Sequence, residues 1–247
     1  MDVCAAKPHI EPMDINMIGT LDTLFAAVAT FVGGHFVLSS LPVRQPVIKM
    51  IGDNGFRMAY SALMLAALVW VIMAYGAAPL DVLWTAPGWL YHVLHILMLP
   101  ASILVVAGNT TRSPTAVGGE AVLANSPKPA SGILTITRHP FLVGVTLWAV
   151  GHAAVNGDLA SVTLFAGMAI LCIGGMIHID LRRQAQGSDW GPVALVTSRI
   201  PFVAALQGRT KIDWRGIGMA RLLGGVGLYG VLAIVHEWIA GVSLIGW

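Results

Sequence analysis

Eight histidines stand in a chain with few other groups able to do chemistry in apolar surroundings. His35, His92, His95, His139, His152 and His236 fall in or against apolar runs, His178 at the end of one, and His9 on a polar tail. Carboxylates are nearly missing from those runs, with Asp22 and Glu237 near their ends. A site rich in imidazole and poor in carboxylate does not suit hard cations, which want oxygen ligands, nor a carboxylate proton relay. It suits haem, whose iron accepts imidazoles from two helices facing each other across the macrocycle. Gly33-Gly34 before His35 and Gly151 before His152 remove side chains where a flat porphyrin needs room. Spacing restricts the pairs. His139 and His152 are about 220° apart around one helix, so they cannot point at one site. His92 and His95, at i,i+3, share a helix face.

Each of these histidines also has a structural reading. His35 and His152 could bond to a neighbouring helix, and His139, beside Arg138, could contact headgroups or a loop. His92 and His95 could pack, and His178 and His236 could be interfacial. Depth adds a constraint. His35 lies roughly 13 Å along a helix from Arg44, and His152 roughly 21 Å from Arg138. By that measure His92 matches His152 in depth better than His35 does.

The elements that must position these groups are apolar runs. Leu21–Leu41 holds Gly33-Gly34-His35 and stops at Pro42, and Phe56–Ala77 is nearly free of polar groups. Trp89–Ala107 holds His92, His95 and Pro100, where a kink is expected. Residues 137–158, TRHPFLVGVTLWAVGHAAVNGD, predict a helix that Pro140 starts and Asn156-Gly157-Asp158 stops. Leu159–Ile179 follows after a turn so short that the two helices must be antiparallel neighbours. The last run is roughly Gly216–Ile239. Ile200–Leu206 is too short to span and reads as interfacial. Trp84 and Trp89 fit an aromatic belt at the membrane edge.

Of the 247 residues, 56% are hydrophobic and 11% charged, against about 25% charged in a soluble domain. The expected fold is therefore an all-α integral membrane protein, a bundle of about six transmembrane helices. Thirteen of the 14 Lys and Arg fall around the loops at about 42–55, 108–137 and 180–215, and only Lys7 lies elsewhere. The positive-inside rule makes those loops cytoplasmic and both termini extracytoplasmic. A tail over 1–20 then precedes a single membrane domain over 21–247, multi-pass in the inner (cytoplasmic) membrane, with the lipid bilayer as its first partner. Basic residues placed by topology form no nucleic-acid patch. Cys4 and Cys172 belong to no C-x-x-C or C-x-x-C-H pattern, and the first residues lack the basic-then-apolar order of a signal peptide. No internal repeat of the transporter kind is visible.

GGHFVLSSLPVR, FRMAYSALMLAALVWVIMAYG, LWTAP at 83–87, HVLHILMLPASILVVA and TRHPFLVGVTLWAVGHAAVNGDLAS together resemble the NnrU family over most of 20–205. That family includes bacterial membrane proteins linked to nitrite and nitric oxide reduction and a plant zeta-carotene isomerase branch. The resemblance implies haem b held through His35 and His152, with His92, His139, Gly34 and Gly151 as further cofactor-site candidates. It implies an accessory role beside respiratory or denitrification membrane proteins, or in haem-enzyme maturation. The alternative it implies is haem-dependent cis–trans isomerisation of an apolar polyene such as zeta-carotene. Phe31, Phe36, Leu147 and Trp148 could then line a slot for the polyene. The isomerase branch carries a cysteine, thought to exchange as ligand, three residues before the second histidine; Ala149 stands here. A weaker resemblance is to the membrane isoprenylcysteine and phospholipid methyltransferases. Arg138, His139, Pro140 and Gly144 fit their motif, while Leu142 replaces its tyrosine.

Overall fold

In a computed structural model, residues 19–115, 130–187 and 190–244 are described. Cys4, Lys7 and His9, all named above, lie outside the described residues. The described elements are α1 (Leu21–Ser39), α2 (Leu41–Ala77), α3 (Gly88–Thr110), α4 (Pro140–Val155), α5 (Leu159–Gln186), α6 (Trp190–Val196), α7 (Val203–Leu206), α8 (Trp214–Ile217) and α9 (Met219–Ala240). A 3-10 turn, Gly132–Thr135, precedes α4.

Five of these helices, α1, α2, α3, α5 and α9, are long and apolar enough to cross a membrane, and α4 is a shorter apolar helix. The protein is a helical membrane bundle. Capping fixes several starts. Thr20 accepts a hydrogen bond from the Thr23 amide at 3.1 Å to open α1, and Asp158 accepts from the Ser161 amide at 2.8 Å to open α5. Both satisfy amides that a helix start leaves without partners. Pro140 occupies the first turn of α4, as the sequence predicts.

The connection expected at about 42–55 is itself helical. Pro42 does not end α1's helix as a breaker but sits in the first turn of α2, where its missing N–H costs nothing. The one interruption is Gly52, with φ +76°. Asp53 ties the two sides of that break together, accepting from Arg44 at 3.1 Å and pairing with Arg57.

The five long helices and α4 pack in the order α2–α1–α5–α4–α3–α9. Helix α4 is therefore interior, flanked by α3 and α5, which explains why it shows no polar stripe. Close approach needs small residues. A Cβ on Gly144 would stand 2.7 Å from the Ala101 carbonyl oxygen, and one on Gly151 would stand 2.6 Å from Leu94 Cδ1. At the far end of α4, the Gly157 carbonyl accepts from the Leu83 and Trp84 amides at 2.6 and 3.0 Å. The expected antiparallel α4–α5 pair is present: Leu142 lies by Gly175, and the His152 ring lies by that of Phe165.

Candidate functional site

The histidines divide by depth, and interhelix contacts give the register. Along α3 and α4, Gly151 meets Leu94 and Gly144 meets Ala101. Along α3 and α9, Gly225 meets Ile103 and Tyr229 meets His95. His92, His95, His152 and His236 therefore share one level, towards the Gly157 end of the bundle. His35 lies elsewhere.

His152 projects from α4 into an aromatic group. Its ring centroid is 5.2 Å from those of Trp148 and Phe165 and 6.4 Å from that of His236 on α9. Its Nδ1–H donates to the Trp148 carbonyl at 2.9 Å. His236 does the same to the Val242 carbonyl at 2.9 Å. Fixing Nδ1 as donor leaves Nε2 of a neutral imidazole as a bare acceptor. His95 shares a hydrogen bond with the Tyr229 hydroxyl at 3.1 Å, and His92 is exposed.

His35 faces α2. Its Nδ1–H donates to the Phe31 carbonyl at 2.7 Å, and its ring meets Phe31 and Tyr60 at 4.6 and 5.7 Å between centroids. Phe36, next in the chain, meets Gly174 of α5, whereas His152 meets Phe165 of the same helix. Nine residues of α5 separate those levels, about 13 Å. Helix α5 also stands between α1 and α4 in the packing order. The structure thus does not bring His35 and His152 together as the two axial ligands of one iron. Of the small residues expected to make room beside them, Gly151 packs against α3, and a Cβ on Gly34 would stand 2.8 Å from Met64 Cε. Both glycines serve helix packing.

His139 belongs to a different construction at the opposite end of the bundle. It is 2% exposed, and its Nε2–H donates to Asp180 Oδ1 at 2.8 Å. Arg138 reaches the same carboxylate from Nε at 3.0 Å and Nη2 at 2.6 Å, and donates from Nη1 to the Thr197 carbonyl at 3.1 Å. Arg199 approaches Asp180 at 3.4 Å, and the Arg138 guanidinium lies over the Trp190 ring. A carboxylate only accepts, so these donors fill its lone-pair sites. Arg138 and His139, the residues of the methyltransferase-like motif, are engaged on Asp180. A second knot locks the chain beside it: Asp213 accepts from the Gly132 and Gly216 amides at 3.0 and 2.9 Å.

Sequence reasoning missed two residues that matter here. Asp180 stood inside His-Ile-Asp-Leu-Arg-Arg at a helix end, with nothing local to show that Arg138 and His139 would converge on it. His236 read as interfacial because its partner lies on a helix far away in sequence. Among the described residues, no group of three or more His, Cys, Asp or Glu side chains is placed to hold a metal ion.

The fold is a helical membrane bundle whose histidines fall into separate layers. The family model described as NnrU protein matches residues 23–244, and the chain belongs to that family. It is similar to the chloroplastic 15-cis-zeta-carotene isomerase of Arabidopsis thaliana, 26% identical over 189 residues, covering 71% of this chain and 48% of the relative. It is also similar to the chloroplastic 15-cis-zeta-carotene isomerase of Zea mays, 31% identical over 83 residues, 33% of this chain and 23% of the relative. The chain spans about half the length of the first of these relatives and less of the second. No solved structure matches.

Proposed function

We propose that the protein acts on an apolar polyene within the bilayer, as a cis–trans isomerase of the carotenoid class. The observation that carries this reading is the aromatic group of Trp148, Phe165, His152 and His236. It lies at one level of a bundle whose helices α4 and α9 both pack on α3 but not along each other. A long hydrocarbon reaching that level from lipid meets apolar surface and π-faces, with no buried charge to desolvate. The names of both curated relatives agree with it. A haem bound here would supply a Lewis-acidic or redox-active iron, with His152 as one ligand. The chain's own part is to hold that imidazole by the Trp148 carbonyl and to present the aromatic wall.

The test is expression in cells that accumulate 15-cis-zeta-carotene, with chromatographic separation of the isomers. Loss of the 15-cis isomer relative to cells carrying an empty vector is the expected result; unchanged isomer ratios at confirmed membrane expression overturn it. A second reading, an accessory membrane protein in denitrification or haem-enzyme maturation, is favoured by Ala149. That residue is fully buried against its neighbours and carries no sulfur for ligand exchange.

Orientation follows the basic loops. Gly157 and Arg209 lie at opposite ends of the bundle, since Gly157 bonds to the Leu83 segment and Arg209 to the Thr197 carbonyl beside Arg138. Single-cysteine labelling in intact cells should place position 157, with Asp81, outside and position 209 in the cytoplasm. Labelling of both positions from the same side would remove this topology.

A further inference from the structure

We propose that a cleft at the foot of α2 binds the phosphate of an anionic phospholipid headgroup. The break in α2 builds it. On a straight helix Arg44 and Asp53 would be separated by a rise of about 13 Å and would stand on opposite faces. Gly52, at φ +76°, turns the chain between them, a conformation that a residue with a Cβ rarely adopts. Arg44 Nη2 then donates to Asp53 Oδ1 at 3.1 Å, and Arg57 pairs with Asp53 Oδ2 from the far side of the break. Arg44 also lies over the Phe56 ring, 5.5 Å from its centroid. One carboxylate thus holds two guanidiniums in the wall of a cleft of about 380 Å³.

Charge and donors select the ligand. Two arginines against one carboxylate leave one positive charge uncompensated among the lining side chains. Arg57 Nε is buried with no hydrogen-bond partner among the described residues. A charged donor has there lost its water without a replacement. Gln45 and Gln186, the latter from the last turn of α5, add side-chain amides, and Leu41 and Ile48 make part of the wall apolar. Phosphate answers to this set, as an anion with several acceptor oxygens that a guanidinium meets in a planar fork. A purely apolar ligand would cover the charge and pair nothing.

Helix length assigns that phosphate to lipid. The 37 residues of α2 rise about 55 Å, against about 30 Å of hydrocarbon. Its apolar part, Phe56–Ala77, fills that thickness alone at about 33 Å. The turns before Gly52 therefore stand at the headgroup layer. Their surface agrees: Lys49 is exposed beside Met50 and Ile51, which are 82% and 49% exposed, as an interfacial segment requires. The end of α5 shares this level, since Ser39 and His178 are hydrogen-bonded at 3.0 Å. Basic clefts between helix ends at this depth take anionic headgroups. No histidine and no part of the isomerase reading enters the site.

The test is native mass spectrometry of the detergent-purified full chain with dioleoyl phosphatidylglycerol or dioleoyl phosphatidylcholine, and with inorganic phosphate as competitor. The wild type should retain one phosphatidylglycerol, with about tenfold preference over the zwitterionic lipid. Equimolar inorganic phosphate should not displace it. Arg44→Gln and Arg57→Gln should each weaken phosphatidylglycerol binding by about tenfold. Gln45→Glu, at an exposed position, sets a second carboxylate in the cleft and should weaken it similarly with an unchanged melting midpoint, which separates loss of the site from loss of the fold. Lys49→Gln removes an exposed cation outside the cleft and should change binding by less than about twofold. Equal affinity for the two lipids overturns the proposal, as does a loss in Lys49→Gln equal to that in Arg57→Gln, which would mean diffuse surface charge. Displacement by equimolar inorganic phosphate would make the ligand a soluble anion and overturns the lipid assignment.

Discussion

Replacing Asp180 by alanine should lower the thermal unfolding midpoint of the detergent-solubilised protein by roughly 10 °C. The carboxylate accepts from Arg138 at 2.6 and 3.0 Å and from His139 at 2.8 Å, and both donors are buried. Removing it leaves the Arg138 guanidinium out of water with no counter-charge. Breaking a buried pair on one side in this way costs about 3–5 kcal/mol. Arg138 would keep its bond to the Thr197 carbonyl and its place over Trp190, which softens the loss without replacing a charge. The contrast is Arg199→Ala. Its side chain is 45% exposed and 3.4 Å from Asp180, so its contribution should stay within about 1 kcal/mol. Fluorescence-detected size-exclusion melting curves of the two variants decide it. Equal shifts for both would mean that the buried bidentate contact is not what holds this end of the bundle.

The Asp180 knot also explains how the Arg138-His139-Pro140 string works. Two residues fix the start of α4 to the end of α5, and Pro140 begins the helix in the next position. Fixing that end sets the register along the whole helix pair, and so the level at which His152 emerges thirteen residues later. A motif that reads as a ligand site in sequence is here a clamp between the start of α4 and the end of α5. Its counterpart at the other end is the Asn156-Gly157-Asp158 turn. There the Gly157 carbonyl receives two amides from the 79–88 segment, while Asp158 caps α5.

Hydropathy and its interruptions made the helices legible, because burial in lipid demands long apolar runs and stops them only with Pro, Gly and charge. The bounds of α1, α3, α4 and α9 fall within a few residues of those expected. Helix α2 was harder to read. Its first turns carry Arg44, Gln45, Lys49, Asp53 and Asn54, which look like a loop by hydropathy, yet backbone hydrogen bonding continues except at Gly52. The site was legible only in part. His152 stood out through Gly151 and its apolar surroundings, and the depth comparison already matched it better to α3 than to His35. What sequence could not supply was lateral order. Nothing in local spacing says that α5 lies between α1 and α4, or that α9 returns beside α3. The His35 and His152 that the resemblance pairs therefore stand on helices with α5 between them, and the ring nearest His236 belongs to a helix far away in sequence.

Gly144→Leu should abolish recovery of a monodisperse, folded protein, and even Gly144→Ala should destabilise it. In membranes helices associate mainly through close packing of small residues, since lipid is as apolar as any side chain. A Cβ at 144 would meet the Ala101 carbonyl oxygen at 2.7 Å, Val105 Cγ2 at 2.9 Å and the Val105 amide nitrogen at 3.1 Å. Two of these three are backbone atoms of α3, which cannot rotate away as a flexible side chain would. The helices must separate, and overpacking of this kind costs about 1–3 kcal/mol for a small group and more for a large one. The displacement would be felt at both neighbours, because α3 carries α9 on its other face and with it His236. Gly227→Ala supplies the control. It lies within α9, and a Cβ there meets nothing within 4 Å, so that change should be neutral or stabilise by up to about 1 kcal/mol through helix propensity. Size-exclusion profiles and melting curves of the three variants, alongside hemin titration of Gly144→Ala, give the readout. A Gly144→Leu protein that elutes and melts as wild type would show that α3 and α4 are not held at backbone contact, and the register that places His152 level with His236 would fall with it.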